Sequence, residues 1–347
     1  MTAFHFAGIC AMALGAGLLG WLLRRQDVSL RVRRWRTWRA HLQAARRQGA
    51  TTSASSLRIL HAAMPRRGAM PGGRAPHSAC HEPLPRFLFL GDASAALPAL
   101  LAAIEPAGPS SVDLPLEDEP FWRWWRLPRL VAIELCPPPL PPEVPLDLLW
   151  LHGLRALTQT QPERPLAGLV LCASAALLRS DPEVAQPLMQ LLARRIHETP
   201  DVLHQSLPVY LLLTGLQDLP GYATVRAALP EPLAGQALGW QAAPGQAESA
   251  WPEAAATWQT SLHGMRLALL AHERTALERH DIHRFVEAAL ALMPGLQRLQ
   301  QTLNLEAEPR LHWQGFYLTA ASPQSAFVHD LFDRFLPASA VLARNDG

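Results

Sequence analysis

An apolar run ending at Leu90, followed by a turn at Gly91 and a helical pattern, predicts a strand, loop and helix that could cradle a phosphate. A phosphate loop needs a glycine-rich turn ending in Gly-Lys-Ser/Thr, because backbone N–H groups, an ammonium group and a magnesium-binding hydroxyl must converge on the phosphates. Counted from Gly91, the last three places of that pattern hold Ala96, Leu97 and Pro98. The strand, loop and helix are therefore predicted, but the residues that would bind the phosphates are missing.

Each substitution removes a specific interaction with a phosphate. Leu97 carries no charge, and Pro98 supplies neither an N–H nor a hydroxyl. Asp92 adds a carboxylate near the place of the anion, and at ~4 Å it would repel a phosphate charge by roughly 4 kcal/mol at an intermediate dielectric. The segment predicts a nucleotide-binding architecture that has lost its nucleotide, with no cofactor and no catalytic residue.

The composition is that of a globular protein with an unusual set of basic residues. The chain has 347 residues, 49% of them hydrophobic, and a formal charge of +2. It contains no lysine, so every basic side chain other than histidine is an arginine. Schiff-base, phosphate-loop and general-base chemistry that depends on lysine is excluded.

Other reactive residue types are too scattered to predict a site. The four cysteines form no C-x-x-C pair, which favours a reducing compartment over a zinc or disulfide framework. A metal site at His77, Cys80 and His81, or at His280 and His283, is less favoured than surface residues and helix caps, so we predict no metal. A serine nucleophile is also disfavoured, because Ser94 and Ser174 lack a Gly-x-Ser-x-Gly turn.

The N-terminal region predicts a membrane anchor. Residues 4–23 are apolar apart from one histidine, and their helical length matches the hydrocarbon layer. Several arginines follow this run and only the terminal amine precedes it, which favours an anchor over the alternative, a cleaved signal peptide. The positive-inside rule then predicts a single-pass protein of the bacterial inner membrane with its C-terminal domain in the cytoplasm.

A basic helix and a linker are predicted after the anchor. Residues 24–48 contain Arg33, Arg34, Trp35 and Trp38, a composition typical of a helix at an anionic membrane surface. Nucleic-acid binding by this arginine-rich arm is the less favoured alternative. Residues 49–85 are rich in Ser, Thr, Gly, Pro and Ala and predict a flexible linker.

The remaining chain alternates short apolar runs with helical patterns, which predicts an α/β fold with a parallel sheet of the P-loop NTPase or GTPase type. We expect an α/β domain at 86–228, a helical insertion at 229–308, a final strand and helix at 309–337 and a tail at 338–347. The predicted strands are Arg86–Leu90, Leu130–Leu135, Leu169–Ala173, Val209–Thr214 and Gly315–Thr319. The predicted helices are Pro98–Ile104, Asp147–Thr158, Glu183–His197, Thr257–Arg279 and Ile282–Leu303, with Asp147 and Asp281 as N-caps.

Several motifs in order resemble the cytoplasmic domain of the IcmF/TssM family, inner-membrane components of type VI secretion systems and of the related type IVb machinery. The similarity covers most of residues 86–337. The matching motifs are Phe121-Trp-Arg-Trp-Trp125, Ile133-Glu134, Trp150-Leu-His-Gly-Leu154, Arg164-Pro-Leu-Ala-Gly-Leu169, Pro208-Val-Tyr-Leu-Leu-Leu-Thr-Gly-Leu-Gln-Asp-Leu-Pro-Gly-Tyr222 and Gln314-Gly-Phe-Tyr-Leu-Thr-Ala320.

The chain departs from the family at the nucleotide-binding positions. Gly215 and Gln217 stand where the resemblance implies a base-reading lysine and aspartate, and Asp218 is one place late. Glu134 stands at the position of the magnesium-facing aspartate, and Pro137 at that of the switch glycine. With three ligand sets broken, we predict no hydrolysis and at best millimolar nucleotide binding, about −4 kcal/mol.

The aromatic segment around Trp122, Trp124 and Trp125 has two interpretations. It is either a hydrophobic lid over the degenerate pocket or a partner-binding hot spot, since tryptophan and arginine dominate such spots.

The resemblance implies a membrane-anchored, catalytically inactive scaffold that docks other inner-membrane or baseplate subunits of a type VI secretion system. Family members usually carry further membrane spans and a large periplasmic region, so we expect this chain not to bridge to the outer membrane. Two alternatives remain: an unconventional NTPase that uses arginines after Trp125, and an adaptor that binds lipid through residues 24–47.

Overall fold

The computed structural model describes residues 32–40, 43, 84–104, 122–135, 146–160, 164–242, 250–321 and 325–338, and every structural feature below lies within them. Within these ranges no helix is long and apolar enough to cross a membrane. The predicted span at 4–23, most of the predicted linker and Pro137 fall outside the described residues.

A seven-stranded, mostly parallel sheet forms the centre of the molecule. The strands are β1 Arg86–Gly91, β2 Trp122–Arg126, β3 Val131–Leu135, β4 Gly168–Ser174, β5 Leu207–Thr214, β6 Leu238–Gln241 and β7 Leu311–Leu318. Their order in the sheet is β2-β3-β1-β4-β5-β7-β6. The five central strands are parallel to one another, while β2 and β6 run antiparallel at the two edges. Strands β4 and β5 are buried along their whole length, as expected for apolar runs covered on both faces.

Helices cover both faces of this sheet. They are α1 at residues 32–40, α2 Leu97–Ala102, α3 Leu146–Thr160, α4 Ala175–Arg179, α5 Pro182–Leu203, α6 Tyr222–Ala228, α7 Glu231–Gly235, α8 Ala250–Leu270, α9 Ala276–Leu290, α10 Met293–Leu303 and α11 at residues 329–338, which includes a π-helical turn.

The two sheet faces pack against different sets of helices because side chains alternate along each strand. Leu88 and Leu90 of β1 face a large cluster that includes residues of α3, α5, α8, α9 and α10. Phe87 and Phe89 face a smaller cluster with α2 and α11, where the rings of Phe89 and Phe332 stack at 5.8 Å. The fold is therefore a three-layer α/β domain, and the predicted α/β class with a mostly parallel sheet is confirmed.

The five predicted strands are confirmed, but both edge strands were missed. The last strand begins at Leu311, four residues before its predicted start at Gly315, because the turn that precedes it ends with Arg310. The sequence analysis interprets β2 as an aromatic lid or hot spot, and β6 lies within the segment predicted as a helical insertion at 229–308.

The two long helices predicted between Thr257 and Leu303 are three helices, α8, α9 and α10. The first break has a local cause, since Thr275 caps α9 in a reciprocal capping box with Glu278. The predicted N-caps were wrong. Asp281 lies inside α9 and accepts a hydrogen bond from Thr224 at 2.9 Å, and Asp147 lies in the first turn of α3 with its carboxylate bonded to Arg194 and Arg195.

Candidate functional site

The carboxyl end of β1 is the topological switch point of the sheet. The chain leaves β1 for β2 and β3 on one side and later places β4 on the other. In open α/β sheets, ligands bind in the crevice outside the strand ends at such a point. The predicted phosphate loop begins at this crevice, at Gly91.

Asp92 directly follows β1 at this crevice and is 8% exposed. Its Oδ1 accepts a hydrogen bond from the backbone N–H of Ser174 at 2.9 Å. Its Oδ2 accepts one from the Ser174 hydroxyl at 2.7 Å and one from the N–H of Ser94 at 3.1 Å. These three donors are thus bound to the protein's own carboxylate rather than left for an external anion.

The loop keeps an unusual backbone shape although its glycine is absent. Ala96 has φ 48° and ψ 43°, the left-handed region, at the place where the phosphate-loop pattern has a glycine. Leu97 is 5% exposed and packs in the smaller core cluster, so the lysine position points into the protein. Pro98 is exposed and lies at the start of α2, a position where a missing N–H is tolerated.

Strand packing requires a glycine at position 91, independently of any ligand. It pairs with Cys172 across β1 and β4, and a Cβ at Gly91 would lie 2.8 Å from the carbonyl oxygen of Cys172. The thiol of Cys172 is fully buried, and burial, followed by the charges of Asp92 and Glu134, raises its pKa well above the ordinary value. Cys172 is therefore a protonated core residue and a poor nucleophile.

Glu134, at the position implied to face magnesium, is 5% exposed and hydrogen-bonded within the sheet. It accepts from the indole N–H of Trp125 at 3.0 Å and from Arg123 Nη1 at 3.4 Å. Trp125 itself is 2% exposed. Of the three tryptophans considered as a lid or hot spot, Trp125 thus supports the carboxylate from the edge strand, and the backbones of Trp122 and Trp124 pair with β3.

The loop after β5 is closed by its own contacts. Gly215 has φ 80°, which permits the sharp turn after the strand. The Gln217 side-chain oxygen accepts a hydrogen bond from the N–H of Ala321 at 3.1 Å, which joins this loop to the segment after β7. Asp218 is exposed, and the Gln217 amide lies 3.4 Å from its Oδ2.

Ser174, considered as a nucleophile, instead caps a helix. It is 1% exposed, and its hydroxyl donates to Asp92 and accepts from the N–H of Leu177 at 2.9 Å. No local sequence pattern indicates its hydrogen bond to Asp92, because the two residues are 82 positions apart.

The histidines on α9, His280 and His283, are exposed, and a guanidinium lies beside His283. Arg266 Nη1 lies 3.3 Å from Nδ1 of His283 and 2.7 Å from Oε1 of Glu287. Among the described residues, no group of three or more His, Cys, Asp or Glu side chains is arranged to hold a metal ion. His77, Cys80 and His81 lie outside the described part of the chain.

The basic segment expected at a membrane surface is partly docked on the domain. Trp38 of α1 is 8% exposed and belongs to the large core cluster, whereas Trp35 is 44% exposed. Arg34 donates from Nε to the carbonyl of Leu203 at 2.6 Å, while Arg33 is exposed. The four predicted contact residues therefore fall on two different faces of the helix.

The fold and the crevice define an α/β domain whose ligand-site position is filled by its own side chains. The family model of the IcmF-related N-terminal domain matches residues 148–324, slightly more than half of the chain. The chain therefore belongs to the IcmF-related family, which links it to type VI secretion. The loop after β1 and Glu134 precede the matched segment. No curated protein matches the chain.

Proposed function

We propose that the chain is a membrane-anchored, catalytically inactive GTPase-like scaffold of a type VI secretion membrane complex. It would dock other inner-membrane or baseplate subunits on the cytoplasmic side of the bacterial inner membrane. Family membership supports the secretion role. The position of β1 at the switch point, with the loop directly after it, supports descent from a nucleotide-binding domain of the P-loop type.

The observation that carries the absence of nucleotide chemistry is the buried Asp92 carboxylate. A phosphate entering here would have to displace Asp92 from the Ser94 and Ser174 donors. It would also meet a repulsion of roughly 4 kcal/mol at ~4 Å and an effective dielectric of about 20. That repulsion is as large as the whole binding free energy of a millimolar ligand, about −4 kcal/mol.

The arginines that an unconventional NTPase could use lie at the wrong end of the sheet. Arg126 pairs with Val131 at the amino end of β3, and Arg129 lies in the turn before that strand. At about 3.3 Å per residue, Val131 is about 10 Å along the strand from Glu134. Arg123 is closer to the crevice, but its guanidinium is engaged with Glu134.

Thermal melting of the full chain in nanodiscs, with GTP or ATP and magnesium, tests the nucleotide part of this proposal. A ligand at 100 times its Kd would stabilise the fold by about 2.7 kcal/mol, a shift of several degrees. We expect no shift at millimolar nucleotide. A saturable, magnesium-dependent rise in Tm would contradict the proposal.

Crosslinking of the chain in host membranes tests the scaffold part separately. We expect inner-membrane or baseplate subunits of the secretion apparatus among the crosslinked proteins. Recovery of the chain without any such subunit would count against the scaffold role, whatever the melting result.

A further inference from the structure

Helix α1 has two faces with different surroundings. Arg34, Thr37 and Trp38, spaced i, i+3 and i+4, face the domain and are half-buried or buried. The other described positions of the helix are exposed: Val32, Arg33, Trp35, Arg36, Arg39 and Ala40.

The inner face is fixed by three contacts. Arg34 Nε donates to the carbonyl of Leu203 at 2.6 Å, which places a cation at the carboxyl end of α5, where the helix dipole favours positive charge. The Thr37 hydroxyl and Nε2 of His204 lie 2.9 Å apart. The Arg155 guanidinium lies 4.2 Å from the ring centroid of Trp38. The helix is therefore held on the domain by polar and apolar contacts together.

The outer face combines apolar surface with positive charge. Val32 is 41% exposed and Trp35 is 44% exposed, so two large hydrophobic side chains lie outside the core. Arg33, Arg36 and Arg39 are exposed beside them, with the Arg39 guanidinium 4.5 Å from the Trp35 ring centroid. Tryptophan favours the headgroup level of a bilayer, and arginines are attracted to anionic lipids.

The predicted anchor brings this face to the membrane. The predicted span ends at Leu23, and the chain from there to Val32 can reach at most about 30 Å. The outer face thus cannot move far from the headgroups if residues 4–23 are inserted.

We propose that the outer face of α1 rests on an anionic phospholipid surface and, because its inner face is fixed to the sheet domain, sets the orientation of that domain against the bilayer. This inference rests on the membrane anchor of the proposed function. The occupant is a lipid surface rather than a protein, because the exposed charges share one sign and the helix follows directly on the predicted span.

A spin label at position 40 tests this placement in the full chain. Ala40→Cys would be introduced with Cys10, Cys80 and Cys136 replaced by serine, while Cys172 is fully buried and stays unlabelled. The probes are vesicles of phosphatidylcholine alone or of phosphatidylcholine with phosphatidylglycerol. We expect the label to gain accessibility to oxygen and to lose accessibility to a water-soluble nickel chelate only in the anionic vesicles.

Two triple variants that lose the same charge distinguish an effect of the outer face of α1 from an effect of the net charge. R33Q/R36Q/R39Q should abolish the change, since each arginine contributes about fivefold to partitioning and three contribute about a hundredfold. R179Q/R279Q/R284Q removes three other exposed arginines and should leave the change intact. Equal behaviour of the two variants, or a label shielded from both relaxants as in a protein contact, would overturn the inference.

Flotation of the same samples tests the membrane anchor separately from the proposed orientation of the domain. A chain that floats with both vesicle types but shows no lipid-dependent label signal contradicts the orientation alone. A chain that floats only with anionic vesicles contradicts the anchor and still supports the lipid-binding face. A chain that floats with neither contradicts both.

Discussion

At the residue scale, Asp92 joins segments that are 82 positions apart in the chain through two hydrogen bonds to Ser174. It also caps the short turn that begins at Ala93. One carboxylate thus closes the crevice and orders the loop that surrounds it.

Replacing Asp92 by alanine should lower the free energy of unfolding by about 1–3 kcal/mol, because buried donors lose their acceptor. Asp92→Asn should cost less, since its remaining oxygen can still accept. Urea unfolding measures both, with Asp333→Ala, an exposed carboxylate, as the control. Equal stability of Asp92→Ala and the control would show that these hydrogen bonds contribute nothing.

Ala96→Gly should raise the free energy of unfolding by about 1 kcal/mol, because a residue with a Cβ is strained in the left-handed region. The matched change Ala99→Gly, in helix α2, should lower it by up to about 1 kcal/mol. The same unfolding measurement checks both signs. A destabilised Ala96→Gly variant would mean that the loop does not hold this conformation.

The residue types alone show which phosphate-binding groups the loop after β1 lacks, but they do not predict its hydrogen bonds to Ser174. The absence of a lysine and a hydroxyl at positions 97 and 98 is visible in the sequence. Asp92 accepts hydrogen bonds from Ser174 because β1 pairs with β4. This pairing is a long-range contact, which local sequence patterns do not contain.

At the element scale, the two tryptophans of α1 have different surroundings because they lie on different faces of the helix. Trp35 and Trp38 are three positions apart, and both belong to the composition that predicts a helix at the membrane surface. The structure buries Trp38 against the domain and leaves Trp35 exposed. The helix is thus docked on the domain through Trp38, while Trp35 lies on its outer face.

Trp38→Ala should destabilise the docked helix by about 3–5 kcal/mol, the usual cost of removing a buried tryptophan. Trp35→Ala should change stability little. Amide hydrogen exchange of residues 32–40 measures docking directly, and only the Trp38 variant should exchange faster. Similar exchange in the two variants would contradict the division of faces.

The docking of α1 should weaken in acid. Burial, together with the charges of Arg34 and Arg310, lowers the pKa of His204 below its ordinary value, although the backbone of Arg33 and the charge of Asp201 act in the opposite sense. Because the docked state has the lower pKa, its stability is complete above the ordinary pKa of about 6.5 and decreases as the pH falls through the lowered value.

Hydrogen exchange of residues 32–40 between neutral and acid pH, corrected for intrinsic exchange rates, tests this dependence. His204→Gln should remove most of the pH dependence, whereas His272→Gln, at an exposed site, should not. Acid-induced tightening of the helix would reverse the expected sign.

Element types were predictable where the pattern was strong and the segment buried. The apolar runs of β1, β3, β4 and β5 have no competing interpretation. β2 was missed because its aromatic and arginine residues are equally typical of a contact surface. β6 was missed because it has only four residues and contains Gly239, and a glycine weakens a strand pattern. Gly239 is required by packing, since a Cβ there would lie 2.0 Å from the carbonyl of Phe316.

At the scale of the whole molecule, the region predicted as a helical insertion is part of the main core. Trp258 of α8 packs on Phe316 of β7 with ring centroids 5.2 Å apart. Ile282 and Leu296, from the next two helices, belong to the same cluster as the sheet. The sequence placed these helices between two strands correctly but could not predict that they form the outer layer of that sheet.

Internal hydrogen bonds hold the three positions at which the family resemblance implies nucleotide ligands. The switch-point loop is held by Asp92, Glu134 is held by Trp125, and the loop after β5 is held by Gln217. Internal hydrogen bonds thus stabilise the positions that a ligand would otherwise organise, and the surface remains available for other subunits of the proposed complex.

A crystal of the protein soaked with GTP or ATP and magnesium tests this central claim most directly. The account predicts no nucleotide density at the carboxyl end of β1 and an Asp92 carboxylate still bonded to Ser174. Clear triphosphate density beside Gly91, with a coordinated divalent ion and Asp92 turned away, would contradict it.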